Sequence, residues 1–119
     1  MNVLFFGNGE ASVLCLKKLL SRARYDKLLV VTPYGGKLHE WHVSLEQFCK
    51  DEDIDHLSPK NVNSDEAIEI FKQFNPDVIF SVYYTQILCG EILCLAKHAI
   101  NFHPSLLPNY RGTAPLIWV

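Results

Sequence analysis

Close cysteine pairs are missing from this chain: Cys15, Cys49, Cys89 and Cys94 contain no C-x-x-C spacing. Zinc sites usually draw on such pairs, so these four, which fall within predicted helices among apolar neighbours, are expected to be reduced, buried thiols in a cytoplasmic protein. Long apolar runs are missing too. None approaches the ~20 residues that a helix needs to cross a bilayer, and no membrane partner is expected. The opening Met1-Asn2-Val3-Leu4-Phe5-Phe6 has neither the charged head nor the small-residue cleavage site of a signal peptide. An excess of basic charge is also absent: 11 Lys and Arg face 13 Asp and Glu, for a formal net charge of -2. That balance gives no general attraction to nucleic acid phosphates. The local group Lys17, Lys18, Arg22, Arg24 and Lys27 reads as a solvated helix face.

Present instead is a globular composition, 49% hydrophobic over 119 residues, sized for one domain at most. Short apolar runs alternate with helical periodicity. Val3–Phe6 is a strand ending at the turn Gly7-Asn8-Gly9. Val13, Leu14, Leu16, Leu19 and Leu20 then recur at helix spacing. Leu28–Thr32 is a second buried strand, closed by Pro33–Gly36. A helix over Ser44–Lys50 presents Leu45, Phe48 and Cys49 inward, and Ile54–Leu57 is a brief strand. Ser64 is the expected N-cap of a helix with Asp65 and Glu66 in its first turn. Its packing stripe is Ala67, Ile70, Phe71 and Phe74, and Asn75-Pro76 stops it. Asp77–Val82 is a strand, Ile87–Ala96 a helix, and Ala99–Phe102 a final buried strand.

Strands that alternate with helices pair in parallel through right-handed crossovers. The expected fold is therefore α/β and Rossmann-like: three layers around a mostly parallel twisted sheet. Thr113–Val119 reads as the first turn of a further helix, so the chain is expected to be truncated. Ligands in such sheets bind beyond the carboxyl ends of the strands, where strand order reverses. Three segments meet that condition: Gly7–Gly9, Tyr83–Gln86 and the stretch from Asn101.

Gly7-x-Gly9-x-x-Ser12 has the start of a dinucleotide fingerprint, but the second strand ends Val31-Thr32-Pro33, without the acid that would hold a ribose. A nicotinamide enzyme is therefore disfavoured. The glycines permit a tight turn, and their backbone N–H groups could also meet a substrate phosphate, which Glu10 would oppose. His39 and His42 lie three apart without a third ligand nearby, so no metal is expected.

The segment Asn101-Phe-His103-Pro-Ser105-Leu-Leu-Pro108-Asn-Tyr-Arg111-Gly112 carries the chemistry. Side chains alternate along a strand, which puts Asn101 and His103 on one side and Phe102 on the other. An amide donor and a titratable ring at the end of a strand suit reactions at a carbonyl. The plain alternative is a hydrogen-bonded loop histidine, with Asn101 capping backbone groups.

Asn101-x-His103-x-Ser105-Leu-Leu-Pro108, followed by Arg111-Gly112, resembles the signature of the folate-dependent formyltransferases, and the likeness extends more loosely back to the first strand. Residues 1–119 are then similar to the N-terminal portion of a formyltransferase catalytic domain, with the C-terminal part absent. The resemblance implies transfer of a formyl group from 10-formyltetrahydrofolate, the co-substrate, to a primary amine. It makes Asn101 and His103 two of three catalytic residues. The third, an aspartate further on in relatives, is not reached in this sequence. Thr85, Gln86 and Ile87 match positions whose backbone holds the pterin ring, and Ser105, Leu106, Leu107 and Pro108 match positions that line the folate pocket. Gly9, Arg111 and Thr113 are the candidates on the acceptor side. Lack of a basic surface, Glu10, and the likeness of Arg111–Trp118 to amino-sugar members favour a nucleotide-linked amino sugar as acceptor. Methionyl-tRNA is the alternative, and a non-catalytic ligand- or partner-binding module is the rival from another class.

Overall fold

The computed structural model describes residues 1–35 and 44–102. Within them run β1 (Asn2–Gly7), α1 (Gly9–Arg22), β2 (Lys27–Val31), α2 (Leu45–Asp51), β3 (His56–Leu57), α3 (Asp65–Phe74), β4 (Val78–Val82), α4 (Gly90–Leu93) and β5 (His98–Phe102). The strands form one sheet in the order β3-β2-β1-β4-β5, and every pairing among them is parallel. The expected α/β, Rossmann-like architecture is what the chain adopts.

Alternation of side chains divides the interior in two. Leu4, Phe6, Val31 and Ile79 face α3 and α4, where Ala67, Ile68, Phe71 and Ile92 close over them. Phe5, Val30 and Val82 face α1 and α2 and meet Val13, Leu16, Leu45 and Cys49. Val3, Leu4, Phe5 and Phe6 are essentially sealed. A central parallel strand has no wet face, which is why β1 reads as an unbroken apolar run. Each such side chain contributes about 1.5–3 kcal/mol on burial.

Helix ends follow local chemistry. Ser64 caps α3 by accepting a hydrogen bond from the Ala67 N–H at 3.2 Å, and Asn75 ends it in the left-handed conformation at φ 56. Ser44 caps α2 in the same way through the Gln47 N–H at 3.1 Å. Lys17, Lys18, Arg22, Arg24 and Lys27 are all exposed, as read from the sequence.

Several expectations are corrected. Leu14 and Ile70 point to solvent, whereas Ser12 and Ile68 are buried, so the packing stripes of α1 and α3 are displaced from those expected. The Ile54–Leu57 strand contracts to His56–Leu57. The expected helix over Ile87–Ala96 contracts to Gly90–Leu93, because the backbone of Ile87 and Cys89 is bound by the Asn63 side chain instead of continuing a helical ladder. Lying beside β4 at one end of the sheet order, β5 is half-buried to exposed, not the buried strand expected.

The cysteines are free as expected, yet only Cys49 is buried; Cys15 and Cys89 are intermediate and Cys94 is exposed. Burial, with the Glu46 carboxylate adding to it, pushes the Cys49 thiol up to about 11. Burial alone raises the Tyr84 phenol to about 12. Both groups hold their protons longer in the folded state than in the unfolded chain. Their stabilising effect is complete below the ordinary thiol value of 9.0 and is lost as pH rises through about 11 and then 12. Urea midpoints are expected to fall steadily above that thiol value. Iodoacetamide at mildly alkaline pH is expected to label Cys94 and spare Cys49, read by peptide mass mapping.

Candidate functional site

β1 is the strand at which order reverses: its connection through α1 leads to β2 on one side, and β4 pairs with it on the other. At the carboxyl end of that pair the Asn8 N–H donates to the Val82 carbonyl at 3.1 Å, which ties the glycine turn to the exit of β4. Gly9 takes φ 78 at the start of α1, a conformation that favours glycine, and a side chain there would enter open space. Glu10 is exposed in the first turn of α1, where a carboxylate suits the helix dipole but repels an anionic ligand.

After β4 the chain turns through Tyr83, which holds φ 58, an uncommon conformation for an aromatic residue. Nothing in the spacing of residues announces it. Tyr84 packs edge-on against Phe6, with ring centroids 5.3 Å apart, and its buried hydroxyl has no hydrogen-bond partner. Thr85 and Ile87 are exposed, and Gln86 is half-buried. The Gln86 carboxamide is fully engaged. It accepts from the Val62 N–H at 2.8 Å and donates to the Pro59 and Lys60 carbonyls at 3.3 and 3.2 Å. What Gln86 can offer a ligand is therefore its main chain.

Asn101 pairs in register with Ser81 on β4, one step before the strand gives way to the Tyr83 turn. Ala99, two residues earlier, packs into the cluster beneath α3 and α4. Strand alternation places Asn101 on that same face, which is also the face of Tyr84 and Leu88. Phe102 points the other way. It lines an apolar hollow of about 540 Å³ together with Phe5, Leu19, Phe80 and Val82, and the exposed Lys18 and Arg22 also border it. That hollow lies on the α1 side, away from Asn101, and its walls are mostly apolar. The structure thus brings Asn101, the Tyr83–Ile87 turn and the Gly7–Gly9 turn to one edge of the sheet. His103, Ser105, Leu106, Leu107, Pro108, Arg111 and Thr113 lie outside the described residues, as do His39 and His42.

Where a dinucleotide enzyme would need an acid, at the end of β2, Thr32 is sealed and hydrogen-bonded to the Ser58 hydroxyl. Ser58 also donates to Glu46 at 3.3 Å, and a hydrogen bond from Lys50 at 3.0 Å holds the Glu46 carboxyl below its ordinary value. The remaining histidines with described surroundings have ordinary settings. His56 bonds the Ile54 carbonyl at 3.0 Å, and His98 is exposed. Among the described residues no three His, Cys, Asp or Glu side chains gather as a metal site would require.

A parallel sheet covered on both faces, with strand order reversing at β1, defines a doubly wound α/β domain. The family model described as "Formyl transferase" matches residues 1–119, and the chain belongs to that family. It is 37% identical over 124 aligned residues to methionyl-tRNA formyltransferase of Clostridioides difficile (strain 630). The alignment takes in 100% of this chain and 40% of that relative, so the chain spans well under half the relative's length.

Proposed function

We propose that the protein of which these residues form part transfers a formyl group from 10-formyltetrahydrofolate to a primary amine. The observation that best supports this is the position of Asn101. In a formyl transferase chain, it stands on β5 beside the exit of β4, on the same face as the turn that carries Thr85, Gln86 and Ile87. In this reading the amine attacks the formyl carbon, the carbon's bond to the folate nitrogen breaks, and tetrahydrofolate leaves with the proton given up by the amine. Negative charge gathers on the formyl oxygen in between. The Asn101 amide and an N–H of His103 stabilise it, and the imidazole moves protons. Backbone groups of Thr85, Gln86 and Ile87 hold the pterin, Ser105 to Pro108 line its pocket, and Gly9, Arg111 and Thr113 face the acceptor.

For the acceptor, identity with a methionyl-tRNA formyltransferase favours the amine of methionyl-tRNA. A nucleotide-linked amino sugar is the second reading. It is supported by the net charge of -2 and by Glu10, exposed at the glycine turn, both of which work against a polyanion. The test gives the full-length protein 10-formyltetrahydrofolate with each acceptor separately, following tetrahydrofolate release and the mass of the product. One acceptor is expected to gain a formyl group in step with tetrahydrofolate. Loss of transfer as salt is raised through the physiological range would mark the tRNA. Failure of the protein to bind any reduced folate would overturn the reading.

A further inference from the structure

Two carboxamides stitch the segment before α3 to the turn after β4, each reaching across from the opposite side. Gln86 reaches back to Val62, Pro59 and Lys60, as described above. Asn63 reaches forward. Its Nδ2 donates to the Ile87 carbonyl at 2.8 Å, and its Oδ1 accepts from the Cys89 N–H at 2.9 Å. Asn63 is itself fixed from both sides: its N–H donates to Asn61 Oδ1 at 3.0 Å, and the next residue, Ser64, caps α3. Val62 and Leu88, flanking the two clamps, are both buried in the cluster beneath α3. The stretch from Gln86 to Cys89 belongs to no helix or strand. Side-chain hydrogen bonds therefore supply the order that a backbone ladder would give elsewhere.

We infer that Asn63 is a positioning residue for the reduced-folate donor: it holds the Gln86–Cys89 backbone in the one arrangement that presents its main-chain groups to the pterin. This rests on the folate reading given above. Asn63 uses the Ile87 carbonyl and the Cys89 N–H for the scaffold, which leaves the main-chain groups of Thr85 and Gln86 and the Ile87 N–H for a ligand. A ligand held by main-chain groups is only as well bound as that main chain is ordered, because any freedom must be removed on binding. Asn63 is therefore coupled to donor affinity and not to the chemical step.

The experiment compares full-length protein with Asn63→Ala and Asn63→Asp. Three quantities are read: equilibrium binding of 5-formyltetrahydrofolate, an unreactive analogue; KM and kcat for 10-formyltetrahydrofolate; and amide hydrogen exchange. Asn63→Ala removes two hydrogen bonds, and folate Kd and KM are expected to rise about tenfold with kcat changed less than about twofold. Exchange is expected to quicken at residues 86–89 and to stay slow in β1 and β4. Asn63→Asp keeps an acceptor for the Cys89 N–H but replaces the donor to Ile87 with an oxygen that repels that carbonyl; with one of the two bonds kept, it is the second variant should the alanine variant not fold, and a weaker folate site is expected of it too. Faster exchange at 86–89 with unchanged folate affinity would overturn the inference, as would a fall in kcat at constant KM. Absence of folate binding by the unaltered protein would instead strike the folate reading itself, while the exchange data would still report the clamp.

Discussion

Asn101→Ala in the full-length protein is expected to lower turnover by about 10²–10³-fold while folate affinity moves by less than about threefold. The prediction follows from what the carboxamide can do at its position. Asn101 is held by the pairing of β5 on β4, so its side chain starts from a backbone anchored in the sheet. A donor held in this way interacts little with a neutral formyl oxygen and strongly with the same oxygen once it carries charge, so its loss raises the barrier without loosening the ground state. Single-turnover and steady-state kinetics separate the two effects. Equal losses in folate binding and turnover would show that Asn101 organises the edge of the sheet and does not touch the reacting atoms.

Gly7→Ala is expected to destabilise the fold by about 1–3 kcal/mol, lowering Tm by roughly 5–15 °C. A Cβ at Gly7 would stand 2.7 Å from the Cβ of Ser12, 2.9 Å from Cε1 of Phe5 and 3.0 Å from Cδ2 of Leu45. The first of these is the most severe, since Ser12 Cβ is attached directly to the backbone of α1 and cannot rotate away. Ser12 is sealed, and its hydroxyl donates to the Gly9 carbonyl at 2.6 Å, so relief requires α1 to move off the sheet. Such a movement shifts the turn that carries Gly9 as well. Thermal melts of the variant check the stability term, and an unchanged Tm would mean that α1 is not seated this closely.

Gly7 also shows how much could be read beforehand. The glycines mark a tight turn between strand and helix, and that much holds, but the demand on Gly7 is one of space imposed by α2 and α1 together. Leu45 is 38 residues away in sequence, and no local pattern carries such a contact. The alternation of elements was legible because the central strands are buried on both faces and therefore read as pure apolar runs. The region from Ile87 to Ala96 was misread for the opposite reason. Leu88, Ile92 and Leu95 recur at helical spacing and do pack on the core, yet Asn63 withdraws the Ile87 carbonyl and the Cys89 N–H from any helix. Leu14 and Ile70 show a related limit: helical periodicity identifies a helix more securely than it identifies which residues meet the sheet. As for the site, Asn101 stood out because a polar amide stands near the end of a mostly apolar strand. Asn63 gave no such signal, since an asparagine before a helix ordinarily reads as turn chemistry.

The position of β1 in the middle of the sheet has a consequence for how the chain is made. Its partner β2 follows within a few turns of helix, but its other neighbour comes much later: the hydrogen bond from the Asn2 N–H to the Asp77 carboxylate spans 75 residues. A ribosome releasing this protein holds the most apolar strand half-paired until β4 emerges, and only then can the sheet close. Slow synthesis between β2 and β4 would lengthen the life of that half-built sheet, the stage at which aggregation and chaperone capture compete with folding.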